Sequence, residues 1–170
     1  MAKEYSKAQK ITLASLFTAT AIVFGYIEFL IPFNFGIPGV KLGLANLVAV
    51  ILLYISDKKT TVSVSALRVC ISALLFGTFY SFAYSAIGAS ISIAVMMLLR
   101  KIKGFSPVGI SIAGGVSHNI GQLIVAFIMF DSAKILFYLP VLLIAGAITG
   151  AIIGISSIPI IKKLEKLHDI

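Results

Sequence analysis

Residues 108–130 read VGISIAGGVSHNIGQLIVAFIMF, with no Asp, Glu, Lys or Arg among them. As a helix rising 1.5 Å per residue, this stretch is about 35 Å long, enough to cross the ~30 Å hydrocarbon core of a bilayer. It is not uniformly apolar, however. Ser111, Gly115, His118 and Gln122 fall on one helical stripe, with Asn119 beside it. Polar side chains at membrane depth are expensive, so they face a cavity or a neighbouring helix. The stretch therefore predicts a membrane-spanning helix with a polar inner face, and such a helix needs companions.

The rest of the chain supplies them. Of its 170 residues 59% are hydrophobic and only 12% charged, about half the charge density of a soluble domain. Apolar runs at about 11–31, 41–56, 60–77, 78–99, 108–130 and 135–159 are candidate spans. The second is short, and only Gly77-Thr78 divides the third from the fourth. A single helix over 60–99 would be about 60 Å long, twice the hydrocarbon thickness, so six spans are preferred to five. The expected fold is an all-α bundle of six transmembrane helices in a single transmembrane domain, 1–170. The run after Lys10 is as long as the later ones and reads as a retained first span, not a signal peptide. Cys70 is the lone cysteine and can form no intrachain disulfide.

The net charge of +8 would ordinarily suggest a nucleic-acid partner. Here the cations sit in short clusters between apolar runs, the distribution of membrane-flanking charge, and no nucleic acid is expected. Six spans put both termini on one side. Assigning that side to the cytoplasm gathers Lys3, Lys7, Lys10, Lys58, Lys59, Arg100, Lys101, Lys103, Lys162, Lys163 and Lys166 inside, eleven cations, against Lys41 and Lys134 outside. The positive-inside rule then predicts a multi-pass plasma-membrane protein with cytoplasmic termini.

In that orientation the strongest polar groups lie between the midplane and the outer surface. Glu28 is near the outer end of the first span; Lys41 and Asn46 open the second. Arg68 is near the middle of the third, on a face shared with Thr61, Ser65 and Ser72. Tyr80, Ser81, Tyr84 and Ser85 occupy the outer half of the fourth, and His118, Asn119 and Gln122 lie in the fifth. This pattern predicts a cavity open to the outside and not a continuous polar channel. Glu28, Lys41, Asn46, Arg68, Tyr80, Tyr84, His118, Asn119 and Gln122 are the candidate ligand contacts. Each has an alternative: Arg68 as ion-pair partner of Glu28, the His118 group as interhelical hydrogen bonding, the tyrosines as an interfacial belt. His118 has no second His, Cys or carboxylate at ligand spacing, so no metal is expected.

Two further features complete the reading. The segment 31–41 holds Phe33, Phe35, Gly36, Pro38 and Gly39, too rich in Pro and Gly for a helix yet too apolar for a solvated loop. It reads as a gating loop over the cavity or as a re-entrant connector. Small residues repeat every four positions at Gly146, Gly150 and Gly154, and at Ala14/Thr18 with Ser15/Ala19. Such stripes serve close helix packing or docking of a partner subunit.

The pieces Pro38–Asn46 (PGVKLGLAN), Leu67-Arg68-Val69, Leu75–Phe79 (LFGTF) and Gly115–Gln122 (GVSHNIGQ) resemble the Gx transporter family, often labelled heptaprenyl diphosphate synthase component I. That family is similar to the substrate-binding S components of energy-coupling factor (ECF) importers. The resemblance implies a six-helix subunit that captures a small ligand outside. It also implies an energy-coupling transmembrane subunit and two ATPase subunits as partners, and no cofactor. The charge of Lys41 and Arg68 against Glu28 favours an anionic group on that ligand. The apolar surroundings favour a partly hydrophobic body: a quinone or isoprenoid precursor, haem or a vitamin. The synthase label fits the residues poorly. Asp57, Asp131 and Asp169 are isolated, whereas prenyl diphosphate chemistry needs clustered aspartates for Mg²⁺. A phosphate-binding Gly-rich loop is also missing, so no enzyme is expected. A non-catalytic membrane accessory of prenyl diphosphate or quinone synthesis is the alternative.

Overall fold

The computed structural model describes residues 6–30 and 43–168. Lys41 and the proposed gating residues Phe33, Phe35, Gly36, Pro38 and Gly39 lie outside the described residues. The described residues form six α-helices: α1 Lys7–Leu30, α2 Leu44–Ile55, α3 Lys58–Phe76, α4 Phe79–Leu99, α5 Pro107–Phe130 and α6 Leu139–His168. A 3-10 turn at Ala133–Tyr138 leads into α6. No strand occurs among the described residues. All helices but α2 are long and apolar enough to cross a membrane, so the expected all-α membrane class holds.

Local chemistry explains the breaks. Asp57 caps α3, its Oδ1 accepting from the Thr60 N–H at 2.7 Å. That N–H, with the Thr60 side chain and then Lys10, holds the Asp57 carboxyl below the usual carboxylate range. At the disputed Gly77-Thr78 boundary, α3 ends on Gly77, and Thr78 and Ser81 bond each other's backbone N–H in a capping box that starts α4. Two orphan helix donors are satisfied there, which is why one long helix does not form. Ser106 caps α5 with Pro107 at its first position. Asp131 closes α5 in the left-handed region at φ 43°. The last span departs from expectation. It does not stop at 159: α6 runs on through Pro159 and carries Lys162, Lys163 and Lys166 on a helical extension.

The helices close into a ring in the order α1–α2–α6–α5–α4–α3, with α3 returning to α1. α2, about 18 Å long at 12 residues, is the most enclosed, with Ala45 and Val48 through Leu53 all buried. The other helices leave large side chains bare, Leu74 at 87% and Phe137 at 83% exposure. Water would not tolerate so much apolar surface, whereas lipid covers it without penalty.

One end of the bundle is basic. There Lys10 pairs with Asp57 at 3.5 Å. Arg100 donates to the Tyr54 carbonyl at 3.3 Å, and its guanidinium stacks over the Tyr54 ring at 4.8 Å. Two apolar clusters fill that half. Ala49, Leu53, Ile93, Met96, Ile110 and Ile153 join α2 to α4, α5 and α6. Ala21, Val48, Leu52 and Val64 join α1, α2 and α3. The opposite half is where the polar residues collect.

Glycines set the approach of α5 to its neighbours. A Cβ on Gly146 would meet the Gly115 carbonyl oxygen at 2.8 Å, one on Gly150 the Ile112 Cα at 2.7 Å, and one on Gly154 the Val108 Cα at 2.6 Å. The α6 stripe is thus consumed by packing inside the chain and is not a free docking face. On α1 the two stripes diverge: Ala14 packs towards the core and Thr18 is buried, while Ser15 and Ala19 are exposed.

Candidate functional site

A cavity of about 220 Å³ opens in the half of the bundle away from the basic end, and all six helices line it. α3 contributes Arg68, Ser72 and Phe76, α5 contributes Gly115, His118, Asn119 and Gln122, and α1 contributes Gly25, Glu28 and Phe29. Asn46 enters from α2, Ser81, Phe82 and Ser85 from α4, and Thr149 from α6. The predicted stripe of Thr61, Ser65, Arg68 and Ser72 is a real face of α3. Thr61 and Ser65 are buried below it, and Arg68 and Ser72 reach the cavity.

Glu28 does not hold Arg68 directly. Its Oε1 accepts from the Gly43 N–H and from the Leu44 N–H, the latter at 3.0 Å. Those are the first donors of α2, and the carboxylate sits on the positive end of that helix. Gly43 takes φ 74°, a left-handed conformation that an L side chain rarely adopts, and this turns its N–H towards Glu28. Arg68 feels the Glu28 charge through space. Among the described residues it makes no hydrogen bond, and the only ion pair within 4 Å is Lys10–Asp57. A half-buried guanidinium therefore lines the cavity with its donors unused among the described residues.

Other polar groups divide between structure and cavity. Asn119 Nδ2 donates to the Leu142 carbonyl at 2.8 Å and ties α5 to α6. The Ser81 hydroxyl is engaged by Thr78, and Thr149 donates to the Ala145 carbonyl at 2.9 Å. Ser72 Oγ is buried with no partner among the described residues. Beside the opening, the Tyr26, Phe29 and Phe76 rings cluster with centroids 5.5 to 6.4 Å apart.

Of the residues singled out from sequence, Glu28, Asn46, Arg68, His118, Asn119 and Gln122 come together here. Tyr80 and Tyr84 do not line the cavity, and Tyr80 is 57% exposed. On α4 the inward stripe is Ser81, Ser85, Gly88 and Ser92, one residue on from the tyrosines. Gly88 lies against His118 and Gly121, and Ser92 donates to the Gly114 carbonyl at 2.8 Å. One residue is a 100° turn, so this packing carries the tyrosines out of the site. The aromatic rings that do reach the cavity, Phe29, Phe76 and Phe82, carry no polar signal. Only Phe76 had a cue, two turns along from Arg68.

The fold and cavity define a polytopic membrane protein, all-helical, with a ligand-sized polar pocket in one half and a solid apolar core in the other. The chain belongs to the heptaprenyl diphosphate synthase component I family, whose model matches residues 17–159. No curated protein and no solved structure matches it.

Proposed function

We propose that this protein is the substrate-capture subunit of an energy-coupled importer of the ECF type. It binds a small, anionic and partly hydrophobic ligand from the outer face of the plasma membrane. The observation that carries this reading is Arg68, a cation that lines the cavity opposite the basic end and makes no hydrogen bond among the described residues. With the basic end in the cytoplasm, that cavity opens outward. Apolar clusters fill the half of the bundle below it. Accumulation then requires an energy-coupling transmembrane subunit and two ATPase subunits, since the chain has no phosphate-binding loop. It works as a binding subunit and not as an enzyme. Asp57 and Asp131, which a diphosphate–Mg²⁺ reaction would need together, each terminate a different helix.

Reconstituted alone in liposomes, the protein should bind ligand without accumulating it. Concentrative uptake by the isolated chain under any ion gradient would refute the reading. The topology is checked separately. In a Cys70→Ala background, a membrane-impermeant thiol reagent should modify Lys134→Cys in intact cells and spare Lys58→Cys and Lys101→Cys. Labelling at 58 would invert the bundle.

The family's description favours a second reading, a non-catalytic membrane accessory of prenyl diphosphate synthesis. Gentle co-purification separates the two: coupling and ATPase subunits support import, a soluble prenyl synthase supports the accessory role.

A further inference from the structure

We infer that the cavity is built for a monocarboxylate with a compact ring or similar body, in preference to a phosphate or diphosphate. This rests on the reading of the cavity as an anion-capture site and specifies which anion. The groups that the protein has already used must first be subtracted. Glu28 is committed to α2, Asn119 to the Leu142 carbonyl, Ser81 to Thr78 and Thr149 to Ala145. Besides the neutral side chains of Asn46, Ser85 and Gln122, Arg68 and the Ser72 hydroxyl remain, the latter buried with no partner among the described residues. They stand one helical turn apart on α3 and line the same wall. A guanidinium fork with one added hydroxyl offers three donors in a small arc, a good match to the two oxygens of a carboxylate.

A phosphate asks for more. Proteins commonly hold one at a helix N-terminus, where free backbone N–H groups and the helix dipole meet it. Two helix N-termini open on this cavity, and both are closed. Glu28 occupies that of α2, and the Thr78–Ser81 capping box occupies that of α4. Among the described residues the lining carries one fixed cation, Arg68, and one carboxylate, Glu28. One negative charge can be balanced by the guanidinium. Further charge would meet the Glu28 carboxylate with no second cation among the described lining residues to offset it. The volume of about 220 Å³ lies below the roughly 300–1,000 Å³ of pockets for drug-sized ligands. Phe29, Phe76 and Phe82 supply apolar surface for a small ring.

Three probes with a common phenyl body decide the matter: phenylacetate, phenyl phosphate and phenylacetamide. Each is titrated against the protein in lipid nanodiscs near pH 7.5, where phenyl phosphate is mostly a dianion, about −1.5 to −2. Phenylacetate should bind about tenfold or more tighter than either rival, as expected when a charge-assisted hydrogen-bond set is lost or mismatched. Arg68→Gln should erase its advantage over the amide, and Ser72→Ala should weaken it with an unchanged melting temperature. Phenyl phosphate binding as tightly as phenylacetate would overturn the carboxylate preference while leaving anion capture intact. Equal binding of the neutral amide would overturn anion capture itself. Failure of all three to bind would overturn both.

Discussion

Arg68→Gln should leave the protein folded and inserted while weakening ligand binding by roughly tenfold to several hundredfold, the range for loss of a buried ionic contact. A guanidinium near the membrane midplane costs at least about 2.5–3.5 kcal/mol on insertion scales. Removing it should therefore not destabilise a bundle in which it holds no described partner. Glu28 should behave in the opposite way. Its carboxylate satisfies the Gly43 and Leu44 N–H groups, and Glu28→Ala leaves both without an acceptor. Removing hydrogen bonds to a charged group costs about 1.5–3 kcal/mol, so that variant should melt lower and loosen the α2 wall of the cavity. Were the two residues an ion pair, the double variant would regain much of the stability lost in the singles. The geometry predicts instead that the effects add within about 0.5 kcal/mol. Melting temperatures and affinities of the two singles and the double decide this. An unchanged affinity in Arg68→Gln would remove Arg68 from the site.

The second large effect is expected where α5 meets α6. Gly115→Leu or Gly146→Leu should abolish folded protein, because each side chain would enter space already held by the backbone of the other helix. Overpacking a core costs about 1–3 kcal/mol when side chains can shift, and here a whole helix would have to move. Because His118, Asn119 and Gln122 ride on α5, any survivor should also lose binding. Ala19→Leu on the exposed face of α1 is the control, with a stability change within about 0.5 kcal/mol. Detergent-resistant folding measured by size-exclusion chromatography after a heat ramp reads both. If Gly146→Leu folded normally while Ala19→Leu did not, the assignment of inner and outer stripes would be reversed. Loss of co-purifying subunits in a well-folded Ala19→Leu protein would mark α1 as the docking face.

Much of this architecture is legible without coordinates. The bilayer imposes its rules locally: a span needs a run of fixed length, and cations collect at one set of ends. Residues 108–130 alone announce a spanning helix with a polar face, and the stripe through Arg68 and Ser72 follows from helical period. The sequence therefore determined the all-α membrane class, the six elements, the basic end and most of the polar residues that meet in the cavity. Boundaries set by neighbours escaped it, as at the continuation of α6 through Pro159.

What only the tertiary structure decided is how each polar group is used. Glu28 is the one carboxylate within a candidate span, which makes it the alternative counter-ion for Arg68. Its actual partner is the N-terminus of α2, brought to it across fifteen residues of chain. Asn119 lines the cavity and also ties α5 to α6, because the Leu142 carbonyl arrives within 2.8 Å. The tyrosines of α4 stay out of the cavity lining because Gly88 and Ser92 set the neighbouring face of α4 against α5. The glycines of α6 were equally suited to a partner until α5 filled their groove. Spacing along one helix fixes which residues share a face, but a hydrogen bond needs a second group about 3 Å away. Here that group comes from another helix, and only the packing of the bundle selects it.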